Sequence, residues 1–208
     1  MKARRWSLLS LVVLASLLLL SSHVWACACC ANNGHYHIGF IKPSTNELSL
    51  MKRIRFGQTA RLFLTEADVD IDAKGLAHAA EAYSLTGSLV GKVWKLTFRD
   101  GNKSGTLNLP LPARMLSYQA DIHDGQESGG GGPLLYKEWR FEDRVNGTGF
   151  FQAGLIAPAK YFLVLQGRGN ACDTAEDFTH WRVAITGKKA KYVFYGELAK
   201  PIPDSQTQ

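Results

Sequence analysis

The chain has 208 residues, four cysteines and a formal net charge of +6. Three of its basic side chains, and none of its acidic ones, lie in residues 1–26, so the remaining 182 residues carry only +3. That charge is too small to support nucleic-acid binding, which we exclude. A length of 182 residues is sufficient for one domain with a well-buried core.

The N-terminal segment predicts a cleaved signal peptide over residues 1–26. Three basic residues precede an apolar run over 8–20, and Ala26 places a small residue directly before the cut. The run is shorter than the ~20 residues that span a bilayer, so we expect no transmembrane anchor after processing. The protein is therefore expected to be exported, periplasmic or extracellular. Cleavage after Ala28 and lipid attachment at Cys27 are the alternatives.

Strand patterns dominate the rest of the chain. Apolar or alternating segments predict strands at 36–41, 48–56, 60–64, 84–90, 92–98, 105–109, 134–142, 149–153, 160–166, 179–185 and 192–198. The best helix candidate is short, about Gly75–Tyr83, where four alanines favour a helix. The fold class is therefore all-β, an antiparallel β-sandwich or barrel with one short helix. We predict a single β-rich domain over 27–199 and a flexible C-terminal tail over 200–208.

Three cysteines and two histidines lie close together at the start of the mature chain: Cys27, Cys29, Cys30, His35 and His37. Thiolates and imidazoles are the ligands that Cu(I) and Zn(II) prefer, so this set is a candidate metal site. In an exported protein, cysteines usually form disulfides. A bond from Cys29 or Cys30 to Cys172 would tie the N-terminal segment to the loop over 167–178. Adjacent cysteines need different partners, because a bond between them is strained.

A second candidate site consists of Asp121, His123 and Asp124, in a glycine-rich loop over 121–133. A histidine flanked by aspartates suits a general base or a metal ligand. The sequence contains no Gly-x-Ser-x-Gly nucleophile elbow and no other complete catalytic motif. A solvated loop histidine is therefore the preferred interpretation, and an enzyme is less favoured than a binding protein.

These patterns favour an exported, non-enzymatic β-domain that binds a ligand, a partner or a surface, with its N-terminal segment tied by a disulfide. A small molecule, a glycan and a protein all remain open as the ligand. Five aromatic residues include candidates for stacking on a glycan: Tyr36, Trp94, Tyr118, Tyr136 and Trp139. The alternative function is copper or zinc handling through the cysteine–histidine cluster.

Overall fold

The computed structural model describes residues 36–64, 76, 82–122, 127–128, 132–170 and 172–203. The predicted signal peptide lies outside these residues. Helix α1 spans Thr45–Arg53, and a 3-10 helix spans Ala175–Asp177. The strands are β1 (Tyr36–Ile41), β2 (Arg55–Phe56), β3 (Thr59–Phe63), β4 (Ala82–Val90), β5 (Val93–Asp100), β6 (Lys103–Pro110), β7 (Met115–Asp121), β8 (Glu127–Ser128), β9 (Gly132–Pro133), β10 (Leu135–Arg144), β11 (Asn146–Gly149), β12 (Ala159–Gly169), β13 (Phe178–Gly187) and β14 (Ala190–Ala199).

Twelve of these strands form one antiparallel sheet. Its hydrogen-bonded order is β1-β7-β10-β12-β13-β14-β3-β4-β5-β6-β11, β2 pairs with β14, and β8 pairs separately with β9. The order ends at β1 and β11, so the sheet is not closed. Only Val145 separates β10 from β11, yet β10 pairs with β7 and β12 whereas β11 pairs with β6. The segment 135–149 therefore joins two parts of the sheet that lie far apart in its strand order. The predicted β-rich class is confirmed.

One face of the sheet carries the hydrophobic core. Side chains alternate along a strand, so every second residue points to the same face. In β5 the residues Trp94, Leu96 and Phe98 are fully buried, while Lys95 between them is exposed. In β13, Trp181 is buried and its neighbour Arg182 is exposed. We call the face that carries the buried series the inner face and the opposite face the outer face.

The predicted strand over 48–56 is wrong, because most of it belongs to helix α1. The hydroxyl of Ser44 accepts a hydrogen bond from the backbone N–H of Glu47 at 3.2 Å, and the Glu47 carboxylate accepts one from the N–H of Ser44 at 2.6 Å. This capping box satisfies two backbone donors that a new helix leaves unpaired. Leu50 and Met51 then pack into the core. The helix therefore begins where the capping signal stands, within an apparently strand-like sequence.

The predicted helix at 75–83 fails at its C-terminal end, where Ala82 and Tyr83 already belong to β4. Tyr83 is 2% exposed and meets the rings of Phe98 and Phe194 edge to face. Residues 75 and 77–81 lie outside the described part of the chain. The predicted strand at 149–153 is also wrong. Strand β11 ends at Gly149, whose positive φ of 63° favours glycine, and residues 150–154 form a turn.

The described end of the chain packs against α1. The backbone N–H of Ile202 donates to the carbonyl of Arg53 at 3.1 Å, and Nε of Arg53 donates to the carbonyl of Ile202 at 2.8 Å. Residues 204–208 of the predicted tail lie outside the described residues. No helix in the described ranges has both the length and the apolar character needed to cross a membrane.

Candidate functional site

Four members of the predicted cysteine–histidine cluster lie outside the described residues: Cys27, Cys29, Cys30 and His35. His37 is exposed on β1 and stands opposite Gln119 of β7. The amide of Gln119 donates to Oδ1 of Asp173 at 3.0 Å, directly next to Cys172. The start of β1, which carries His37, and the loop that carries Cys172 therefore lie at the same end of the sheet.

The second predicted site is described only in part. Asp121 is the last residue of β7 and stands opposite Leu135 of β10. Its predicted companions His123 and Asp124 lie outside the described residues. Among the residues that the structure does describe, no group of three or more histidine, cysteine, aspartate or glutamate side chains is arranged to hold a metal ion.

A buried lysine holds the loop around Cys172, and the sequence did not reveal it. Lys137 of β10 points to the inner face and is 1% exposed. Its ammonium donates to the carbonyl of Cys172 at 2.7 Å, to Oδ1 of Asp173 at 2.8 Å and to Oδ2 of Asp177 at 2.8 Å. Three acceptors satisfy all three protons of an ammonium group. We call Lys137, Asp173 and Asp177 the ion cluster. Because every proton of the Lys137 ammonium has an acceptor, the cluster has a structural role.

Close packing around Asp177 adds to this anchoring. The side chain and the backbone N–H of Thr174 both donate to the Asp177 carboxylate, at 2.9 and 3.1 Å. A Cβ atom on Gly169 would lie 2.1 Å from Cγ of Asp177, and one on Gly167 would lie 1.9 Å from its carbonyl oxygen. Both positions therefore require glycine, because strand β12 passes directly against this aspartate.

A groove of about 730 Å³ opens on the outer face, beside the point where β3, β13 and β14 lie next to one another. This volume falls within the range of small-ligand sites. Gln58 and Thr59 line it together with six further polar side chains, which we call the groove residues: Arg61, Gln166, His180, Arg182, Tyr195 and Glu197. They come from four strands, so the groove exists only after the sheet has assembled.

The groove residues form two rows that run across the strands. In the first row, Arg182 stands directly opposite Tyr195, and Tyr195 stands opposite Arg61. In the second row, Gln166 stands opposite His180, and His180 stands opposite Glu197. The rows are adjacent, because residues two apart on a strand share a face. The first row presents a phenol between two guanidinium groups.

The two arginines of the groove, Arg61 and Arg182, have no ion-pair partner among the described residues. Arg61 and Arg182 are exposed, and within the described part of the chain neither forms an ion pair, a hydrogen bond or a cation–π contact. His180 is also exposed, and its Nδ1 atom lies 2.9 Å from Oγ1 of Thr179. Guanidinium groups bind carboxylate and phosphate oxygens through paired hydrogen bonds. No partner within the described residues therefore occupies either guanidinium group.

A second set of aromatic residues lies on the outer face at the β1 end of the sheet. The rings of Tyr36 and Tyr118 are 6.3 Å apart, and those of Tyr118 and Tyr136 are 6.2 Å apart. Arg140 lies over the Tyr118 ring at 5.6 Å and donates to the Glu138 carboxylate, which also accepts from the Tyr136 hydroxyl. Burial and this carboxylate raise the pKa of Tyr136 well above its usual value, so the phenol stays protonated and donates to Glu138.

The other two aromatic candidates are core residues. Trp94 is 0% and Trp139 is 1% exposed, and both lie on the inner face. The groove offers a ligand the polar side chains of Arg61, Arg182, Gln166, His180 and Tyr195 and the carboxylate of Glu197. The chain matches no protein-family model, no curated protein and no solved structure.

Proposed function

We propose that this chain is an exported, non-enzymatic β-domain that binds a ligand in the groove of its outer face. The single observation that carries the proposal is the row of Arg182, Tyr195 and Arg61, which stand opposite one another on three neighbouring strands. Neither guanidinium group has an ion-pair partner among the described residues. Arginine and tyrosine are, with tryptophan, the residue types enriched among those that dominate binding energy at protein interfaces.

The division of the sheet into two faces supports a binding role. The inner face buries the apolar side chains that stabilise the fold, such as Trp181 and Phe194. The groove residues on the alternate positions contribute little to that core, and Tyr195 is 42% exposed. The described contacts assign no stabilising role to a partly exposed aromatic ring between two arginines that have no ion-pair partner among the described residues. Ligand binding gives these three side chains a shared role.

We further propose that a disulfide from Cys172 to the N-terminal cysteine segment ties that segment to the domain. The chain of contacts from His37 through Gln119 to Asp173 brings the start of β1 to the same loop. Export, which the signal-peptide pattern predicts, supplies the oxidising compartment that such a bond requires.

The experiment is a titration of isotope-labelled mature protein with a panel of neutral and acidic oligosaccharides, amino acids and organic acids, followed by backbone NMR. At least one compound should shift amide signals of β3, β13 and β14. The variant with Arg61→Ala and Arg182→Ala should lose those shifts. Arg99→Ala, an exposed arginine on β5, is the matched control and should keep them. A panel that shifts none of these amides would overturn the proposal.

Copper or zinc handling is the second candidate function. The observation that favours it is the placement of His37 at the same end of the sheet as the Cys172 loop. Mass spectrometry of the mature protein, with and without reduction, reports the cleavage site, any lipid, the disulfides and any bound metal together. A protein with no free thiols that binds neither Cu(I) nor Zn(II) stoichiometrically would exclude thiol-centred metal handling.

A further inference from the structure

We propose that the ligand of the groove is an acidic polysaccharide that lies across the strands, with its anionic groups on Arg182 and Arg61. This inference rests on the proposed binding function and names its ligand class. It follows from the spacing of the charges, from the aromatic ring between them and from the polar row beside them.

The spacing is set by the sheet. Neighbouring strands are about 4.8 Å apart, so residues on alternate strands of one cross-strand row are about 9–10 Å apart at their Cα atoms. Arg182 and Arg61 are such a pair, with Tyr195 on the strand between them. Arg140 continues the same row two strands further, beyond Val164. The row therefore places a guanidinium group on every second strand, a period close to the length of one disaccharide in an extended sugar chain.

The residue between Arg182 and Arg61 suits a sugar ring. Tyr195 is 42% exposed, and a phenol ring offers an apolar face on which the C–H face of a pyranose can stack. Val164, between Arg182 and Arg140, is only 5% exposed, so the apolar contact of the row is Tyr195. An extended chain with one carboxylate on every second sugar would thus place a sugar ring on Tyr195 between carboxylates on Arg182 and Arg61.

The three arginines of the row differ in whether they already form an ion pair. The Nε atom of Arg140 donates to the Glu138 carboxylate, so this arginine already has a counter-charge. Arg182 and Arg61 have none among the described residues. We therefore place the two anionic groups of the ligand on Arg182 and Arg61, and the adjoining sugars towards Arg140.

The second row distinguishes a sugar chain from a dense polyanion. Gln166 and His180 offer both donors and acceptors to hydroxyl groups, and Glu197 offers acceptors only. A carboxylate beside the arginines favours a hydroxyl-bearing ligand and repels one that carries an anion on every unit. This arrangement suits an acidic glycan better than polyphosphate or nucleic acid.

Isothermal titration calorimetry of the mature protein tests the inference with three probes. A hyaluronan octasaccharide carries a carboxylate on every second sugar, a chito-oligosaccharide is the neutral control, and inorganic polyphosphate is the dense polyanion. The hyaluronan probe should bind at least about tenfold more tightly than either control, a factor that one charge-assisted hydrogen bond can supply. The variant with Arg61→Gln and Arg182→Gln should lose at least that factor, whereas Arg99→Gln should bind as the unmodified protein does.

The outcomes separate this inference from the function on which it rests. Equal binding of the neutral oligosaccharide would overturn the acidic-ligand assignment but leave the groove as a binding site. Equal binding of polyphosphate, or an equal loss in the Arg99→Gln variant, would show attraction by charge alone and would also overturn the assignment. Binding of none of these probes, together with an unresponsive NMR panel, would overturn both proposals.

Discussion

Replacement of Lys137 by methionine should destabilise the fold strongly. The ammonium of Lys137 is 1% exposed and lies 2.8 Å from a carboxylate oxygen of Asp173 and of Asp177, whose side chains are only 17% and 13% exposed. Methionine fills a similar volume but leaves two largely buried carboxylates without their cation. Removal of one partner from a buried ion pair typically costs about 3–5 kcal/mol. For a domain of this size that loss lowers the melting temperature by about 6–20 °C.

The assay is urea and thermal unfolding of the mature protein, with Lys160→Met as the matched control. Lys160 pairs with Glu142 at 3.2 Å, and the two side chains are 69% and 57% exposed. An exposed pair contributes about 0–1 kcal/mol, so the control should unfold almost as the unmodified protein does. Adding Asp173→Asn and Asp177→Asn to Lys137→Met should recover part of the lost stability, because the stranded charges are then absent. Equal unfolding of Lys137→Met and the control would refute the structural role of the ion cluster.

Three further predictions concern single features of the fold. Gly169→Ala should lower the free energy of unfolding by about 1–3 kcal/mol, because its Cβ would lie 2.1 Å from Cγ of Asp177, and an unchanged urea midpoint would contradict this packing. Ser44→Ala removes the N-cap of α1 and should lower the free energy of unfolding by about 1 kcal/mol in the same assay. An unchanged urea midpoint would show that the cap does not stabilise the fold. Burial raises the pKa of Tyr161 and Tyr192 above the usual value. Their protonated phenols contribute stability that is complete below about pH 10, where unfolded tyrosine ionises, and that falls as the pH rises further. Phenolate absorbance in an alkaline titration should show these tyrosines ionising only as the protein unfolds, and their ionisation near pH 10 in the intact fold would contradict the prediction.

The strands could be predicted from the sequence because alternation is a local signal. The series Trp94, Leu96 and Phe98 alternates with polar residues, and the structure buries all three. The same signal gives a wrong prediction at 48–56, where apolar residues also recur. This stretch mostly forms a helix, which the capping box of Ser44 and Glu47 begins. Strand β7, which contains no long apolar run, was not predicted. Local patterns thus predict most strands. The exception at 48–56 arises because a helix cap lies four residues before the apolar stretch.

The candidate site could not be predicted in the same way, because it depends on strand order. Arg61, Arg182 and Tyr195 are far apart in sequence and meet only because β14 pairs with both β13 and β3. Lys137 is similar: it lies among polar neighbours in β10, and its partners Asp173 and Asp177 lie in the loop after β12. No pattern within one segment distinguishes a buried lysine with two distant carboxylates from a solvated one.

Adjacent residues of β10 show why stability and binding should respond separately to substitution. Lys137 points into the ion cluster on the inner face, whereas Glu138 points to the outer face and pairs with Arg140. The groove residues Arg61 and Arg182 share the face of Glu138 and have no ion pair among the described residues to lose. Their replacement by glutamine should therefore change the free energy of unfolding by less than about 0.5 kcal/mol, as is usual for surface substitutions. A loss of binding without a loss of stability in that variant would locate the binding energy in the groove, whereas a parallel loss of both would mean that the arginines support the sheet itself.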